Sequence, residues 1–252
     1  MGDDNGVSLL SQAPAYASEC SHEYDGVLMP KIMPARCIES VRNFKVRDDD
    51  LFLTTYPKSG TTWVQQIVLL IHHDGDKSKL EGKHIFKMVP FIEAVEGMNK
   101  DNVSQVFDGM SCNIAIPFFS PVPRGSWFDS VLYWWKRKDD PLVLFIKFED
   151  MKKDLKGAVK QISEFMGKSF SDETIEGIVE SSTFDAMKKN KNSNPDSLPQ
   201  LQASASQKKT FLRKGVVGDW MNFFSDEQSA RFDAVYKAKM AGSGLDFVFQ
   251  QE

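Results

Sequence analysis

The sequence has little of what would place a protein outside the cell, in a membrane or on a nucleic acid. Its three cysteines, Cys20, Cys37 and Cys112, are odd in number and widely spaced. They support neither a disulfide framework nor a zinc cluster and read as reduced thiols. No apolar run is long enough to cross a bilayer, and the opening Met1-Gly2-Asp3-Asp4 has no secretory pattern. Gly6 stands where N-myristoylation asks for Ser or Thr. There is no basic excess: 31 Lys and Arg face 35 Asp and Glu, for a formal net charge of -4, which argues against a general nucleic-acid binder. Histidine is scarce, with four in the chain. His72-His73-Asp74-Gly75-Asp76 has no third ligand at a useful spacing, so a solvated helix end is expected there and no metal. These absences lead to the expectation of a cytoplasmic protein with a small anionic ligand, and no membrane or nucleic-acid partner.

What is present suits one globular core. With 252 residues, 41% hydrophobic and 26% charged, the chain can bury a sizeable interior. Residues 1–22 are small and polar and read as a flexible arm, and 23–252 as a single domain. Val41 to Val46 reads as a short edge strand, and Asp48-Asp49-Asp50 as a charged turn.

The chain is organised around Leu51-Phe52-Leu53-Thr54-Thr55-Tyr56-Pro57-Lys58-Ser59-Gly60-Thr61-Thr62-Trp63. A β-compatible run enters a turn containing Pro57 and Gly60, and a helical pattern continues through Trp63, Val64, Ile67, Val68 and Ile71. The first amides of a helix lack intrahelical partners and sit at the positive end of its dipole, so with Lys58 they can hold an anion. Gly60 allows close backbone approach, and Ser59, Thr61 and Thr62 add hydroxyl donors. Standing alone, the stretch is also compatible with a capped turn and a solvated lysine. The nucleotide P-loop G-x-x-x-x-G-K-[ST] is not matched, because the lysine precedes the glycine.

Tyr56-Pro57-Lys58-Ser59-Gly60-Thr61-Thr62-Trp63 resembles the 5′-phosphosulfate loop of cytosolic sulfotransferases, whose donor is 3′-phosphoadenosine 5′-phosphosulfate (PAPS). Far downstream, Phe211-Leu212-Arg213-Lys214-Gly215-Val216-Val217-Gly218-Asp219-Trp220 resembles the same family's loop for the donor's 3′-phosphate. Ser182-Thr183-Phe184 is similar to its adenine-contacting T-S-F segment with the first two residues exchanged; by itself it is equally an ordinary helix-ending cluster. Tyr24 to Pro30 matches the family's entry pattern. Val89-Pro90-Phe91-Ile92-Glu93 corresponds to its acceptor-lining segment, or is simply an apolar loop. Phe148-Glu149-Asp150-Met151 stands where relatives carry Y-E-D-M.

The chain departs from the family between Glu96 and Gly125. Relatives carry there a strand ending in Lys-Thr-His, whose histidine is the catalytic base, and an Arg-Asn segment with a serine that binds the 3′-phosphate. None of these is found, and tens of residues are missing. The family's dimer motif is also unmatched: Met221, Ser225, Asp226 and Ala230 stand in its place.

Elsewhere the elements are regular. Trp127, Val131, Trp134 and Trp135 follow helical spacing, and Leu142 to Phe148 reads as a buried parallel strand. Leu155, Val159, Ile162 and Met166 mark an amphipathic helix ended by Gly167. Ser171 starts another, and Ser225-Asp226-Glu227-Gln228 has the form of a capping box. Lys191 to Lys209 is a long polar loop, placed by the resemblance as a lid over the site.

The resemblance implies an α/β protein with a mostly parallel sheet flanked by helices, a P-loop-like sulfotransferase fold with one or two central strands missing or rearranged. It implies transfer of a sulfuryl group from PAPS to a hydroxyl or amine of a phenol, alcohol, steroid or amine acceptor. Lys58 is the expected catalytic residue. Lys58, Ser59, Gly60, Thr61, Thr62, Trp63, Ser182, Phe184, Phe211, Leu212, Arg213, Lys214 and Gly215 are the expected donor-binding residues. Two alternatives stay open: a PAPS- or PAP-binding protein without turnover, and, less favoured, a P-loop nucleotide kinase.

Overall fold

The chain was analysed as a computed structural model, which describes residues 21–24, 27–30, 35–42, 44–89, 114–115, 126–198 and 210–250. Contacts group the chain into two units, Met1–Lys58 with Met88–Ser130 and Ser59–Lys87 with Val131–Glu252.

In the first unit, β1 (Ser21–Tyr24) and β2 (Val27–Pro30) form an antiparallel hairpin with Tyr24 opposite Val27. Helix α1 spans Ala35–Arg42. Strand β3 (Leu51–Phe52) pairs in parallel with β4 (Ile114–Ala115), Leu51 opposite Ile114. The turn before β3 is held by Asp50, whose carboxylate accepts from the Arg47 amide at 2.9 Å and from its Nε at 3.0 Å. Phe44 packs edge-on against Phe52 at 6.3 Å.

Helix α2 (Thr61–His72) is the centre of the second unit. Ile67, Val68, Leu69, Leu70 and Ile71 are all at most 1% exposed. Five consecutive buried residues mean that every side of the helix is covered, which is the condition of a core helix and not of a surface one. A turn at Lys77–Leu80 and α3 (Ile85–Met88) follow. The chain then continues through α4 (Trp127–Trp135), α5 (Phe148–Lys153), α6 (Leu155–Phe165), α7 (Asp172–Ser181), α8 (Phe184–Lys189) and α9 (Asp226–Met240). Helices α6 and α7 pack on α2 and on each other, through Val159, Ile162, Ile175 and Ile178.

Local chemistry sets the boundaries. Asp154, Ser171, Thr183 and Ser225 each accept a first-turn amide with their side chains, and at Ser225 the reciprocal bond from Gln228 completes the capping box. Gly167 takes a positive φ of 68° after α6, as a helix-ending glycine does.

Three expectations change. Val41–Val46 is not a strand: α1 runs through Arg42 and residues 44–47 are irregular. Leu142 to Phe148 is not a buried strand either: Leu142 is 84% exposed, residues 143–147 are irregular and Phe148 opens α5; a parallel strand exists only through its neighbours, and no ladder partner is found among the described residues. Among the described residues the parallel pairing is the two-residue one of β3 with β4, and β4 lies inside the stretch that departs from the family. In the expected arm, Ser21 and His22 belong to β1, while residues 1–20 lie outside the described residues, as do 90–93 of the acceptor segment and 199–209 of the lid.

Ile178 is 1% exposed on α7. Ile178→Ala should destabilise the protein by about 2–5 kcal/mol, read as a lower urea midpoint at unchanged slope. Val235→Ala, on a side chain that is 42% exposed, should change it by about 0.5 kcal/mol or less.

Candidate active site

The first loop ends at an unusual helix start. Gly60 occupies the cap position of α2 at φ 101°, with no side-chain hydrogen bond on the cap. Its carbonyl accepts from the Trp63 and Val64 amides at 2.9 and 3.1 Å. Lys58 is exposed and has a left-handed backbone at φ 67°. For a residue with a β-carbon this costs on the order of 1 kcal/mol, and such strain concentrates at functional sites. Ser59 is exposed, Thr61 half-buried and Thr62 buried.

An aromatic wall backs this loop. A β-carbon at Gly60 would stand 3.2 Å from the Phe148 ring, so the glycine is needed for that contact as well as for its φ. Phe148 meets Trp63 edge-on at 5.4 Å. The Trp63 indole donates to the Ser182 carbonyl at 2.7 Å, and Lys152 Nζ lies 5.7 Å from the Trp63 ring centre.

Two residues beyond Ser182, the chain reaches the second loop. Phe184 packs so closely on Gly215 that a β-carbon there would come within 2.5 Å of its ring, and Gly215 has φ 63°. Gly60, Trp63, Ser182, Phe184 and Gly215 thus form one run of contacts, to which Phe148 belongs. Arg213 and Lys214 are half-exposed and both reach the carboxylate of Asp219, Lys214 at 2.6 Å. Asn222 Nδ2 donates to the same carboxylate at 2.8 Å. Phe211 engages elsewhere: its amide donates to Asp196 Oδ1 at 2.7 Å and its ring meets Phe86 at 6.0 Å. Leu212 is half-buried. Phe148, Lys152 and Asp219 are additions to the expected residues. Asp219 sits within the quoted Gly-Asp-Trp, while nothing in the sequence marks Lys152.

The arrangement can hold an anion at each end with an aromatic-lined stretch between. Both ends have glycines packed under rings, and together they offer helix amides, an arginine and lysines, a donor set suited to phosphate. A cleft of about 330 Å³ opens elsewhere, lined by Gln66, Leu70, Lys77, Leu80, Asn190 and Asn192, among other residues, and contains none of the expected site residues.

Three of the four histidines do not supply a base here. His72 and His73 close α2, about 18 Å along the helix from its start. His84 is buried with both ring nitrogens engaged: Nδ1 accepts from the Phe86 amide at 3.2 Å, so Nε2–H is left to donate to the Asn194 carbonyl at 3.3 Å. No lone pair remains for proton abstraction. His22 lies on β1. Among the described residues no metal-binding group of three His, Cys, Asp or Glu occurs.

Comparison with known proteins is consistent with these features. The family described as "Sulfotransferase domain" matches residues 48–122 and 117–244. Rat sulfotransferase 1C2 is 33% identical over 267 residues, covering 83% of this chain and 89% of the rat protein. Bovine sulfotransferase 1E1 is 31% identical over 297 residues, covering 95% of this chain and 99% of its own. Mouse sulfotransferase SULT7A1 complexed with PAP superposes with a TM-score of 0.67 at 25% identity, covering 89% of this chain and 95% of its own. Retinol dehydratase, in complex with androsterone and inactive cofactor PAP, reaches a TM-score of 0.75 at 17% identity, covering 89% and 90%. The bovine alignment is longer than the 252 residues of the chain, so it contains gaps. The two family segments meet at 117–122, inside the stretch of departure.

Burial lowers the pKa of His84, and of His73, below the ordinary 6.5. A lowered histidine pKa means that the unfolded chain takes up the proton first, so stability is full above about pH 6.5 and falls as the pH drops below it. His84→Gln should flatten the fall in melting temperature between about pH 7 and 5; an unchanged slope would show that His84 does not contribute to it.

Proposed function

We infer the function from the premise that this chain belongs to the sulfotransferase family, and we propose the residues that perform it. The protein is a PAPS-dependent sulfotransferase acting on a small-molecule acceptor. The observation that carries the site assignment is the continuous run from Gly60 through Trp63 and Ser182 to Phe184 and Gly215, which joins the uncapped start of α2 to the Arg213–Lys214 loop.

When bound, PAPS supplies an activated sulfuryl group on a phosphate leaving group. Lys58 and the first amides of α2 would hold the 5′ end and offset the negative charge that grows on the leaving oxygen. Ser59, Thr61 and Thr62 would add hydroxyl donors. Trp63 and Phe184, with Ser182 between them in the contact run, would flank the base. Arg213 and Lys214 would hold the 3′-phosphate, with Gly215 admitting it close to the backbone. Phe211 and Leu212 would shape the loop, since Phe211 is tied to Asp196 and Phe86. Such a site works by positioning and electrostatics, as phosphoryl-transfer sites do.

The acceptor is an alcohol, phenol, steroid or amine. Rabbit amine sulfotransferase is 30% identical over 86% of this chain, and retinol dehydratase was solved with androsterone; both acceptor types belong in a screen. Residues 23–252 act as one functional domain, and the working compartment is the cytoplasm. Among the described residues no helix is long and apolar enough to cross a membrane. One observation favours a second reading, PAP or PAPS binding without turnover: the engaged nitrogens of His84 and the remote His72 and His73 leave the acceptor without a histidine base there. A positioned base contributes about 10²–10⁴ in rate.

Calorimetry should show binding of PAP and none of ATP or GTP; the reverse would revive the kinase reading. In a radiolabelled transfer assay on phenols, alcohols, steroids and amines, Lys58→Ala should lower turnover by about a hundredfold or more. Turnover no greater than in that variant would establish the second reading.

A further inference from the structure

The carboxylate of Asp219 is 2% exposed, whereas the side chains of its two cationic partners are each 52% exposed. Asp219 opens a short 3₁₀ turn, Asp219–Asn222, behind Gly218 at φ 88°. Its Oδ1 accepts from Lys214 Nζ at 2.6 Å and from Asn222 Nδ2 at 2.8 Å, and its Oδ2 faces the Arg213 guanidinium. Arg213 also lies over the Phe223 ring, 5.4 Å from its centre. The anion is inside and the cations reach from it to solvent. A buried carboxylate needs such compensation, but one cation would balance its charge. Two are present, and the cluster keeps one net positive charge facing outward.

Arginine and lysine carry long side chains that lose much rotamer freedom when ordered. An anion binding to two unanchored cations would bear that loss itself, which lowers its affinity. The geometry points to Asp219 as the positioning residue of the 3′-phosphate site: it holds Arg213 and Lys214 side by side before the donor arrives. This rests on the donor reading above, and assigns to a buried acid the discrimination between nucleotides with and without a 3′-phosphate.

Asp219→Asn keeps the shape and lets Asn222 still donate to the side-chain oxygen, and the two cations it leaves are half-exposed and can be hydrated, so no buried charge is stranded and the fold should survive. PAP and 5′-AMP, which differ by the 3′-phosphate, are titrated into wild type and variant by calorimetry, with melting curves run alongside. The expected result is about a tenfold loss of the PAP-over-AMP preference, with AMP affinity unchanged. Asn222→Ala leaves both ion pairs and removes one donor, and it should shift the same ratio in the same direction by a smaller factor. A ratio that stays constant in both variants, or that rises in Asp219→Asn, overturns the inference, because a residue serving only stability would weaken both nucleotides alike. Wild type binding PAP no better than AMP would instead overturn the donor reading on which the inference stands.

Discussion

The hydrogen bond from the Trp63 indole to the Ser182 carbonyl is the contact on which the rest of the site depends. It joins residues 119 apart in sequence, and it does so at the first turn of a helix whose middle is sealed in the core. Because α2 cannot move without opening that core, its start is a fixed point. Because Ser182 precedes the cap of α8, the bond also sets where Phe184 stands, and Phe184 sets how closely Gly215 can approach. The start of α2 and the Arg213–Lys214 loop are therefore separated by a short chain of packed groups.

The glycines at the ends of that chain show how packing and backbone conformation act together. Gly60 and Gly215 both have positive φ, and both lie under aromatic rings where a β-carbon would intrude. Either condition alone excludes most residues; the two together leave glycine. On the proposed assignment these positions are also where a phosphate would need unobstructed backbone, so the requirement of the fold and that of the ligand would coincide.

Much of this was legible in the sequence. The anion loop, the second loop and the helix caps at Ser171 and Ser225 have local signatures, since each depends on residues within a few positions of one another. What was not legible depends on distant partners. Phe148 could be seen to lack a hydroxyl, but not to cover Gly60, because that contact spans the length between α2 and α5. The run at residues 143–147 has strand composition, and composition does not supply a neighbouring strand; β4, the parallel partner of β3, lies in a stretch with no strand pattern. Val41–Val46 has the two valines and the phenylalanine of a strand, yet α1 extends through Arg42, so tertiary context overrides a signal this short. Asp219 was visible as a letter in a motif, and its role follows only from burial, which the sequence does not contain.

Remote binding and reaction geometry meet in this arrangement. The 3′-phosphate takes no part in bond making, so holding it adds affinity equally before and during reaction and does not by itself raise the rate. It becomes useful when the hold is rigidly related to the reacting end, because a displacement of about 1 Å there can cost about a hundredfold. On the proposed assignment that relation would be carried by Asp219 fixing the cations, Gly215 against Phe184, Ser182 to Trp63, and Gly60 at the start of α2. Lys58, the residue proposed to act at that end, has a strained backbone at φ 67°. Binding energy collected at the basic pair would thus be converted into alignment at the start of α2.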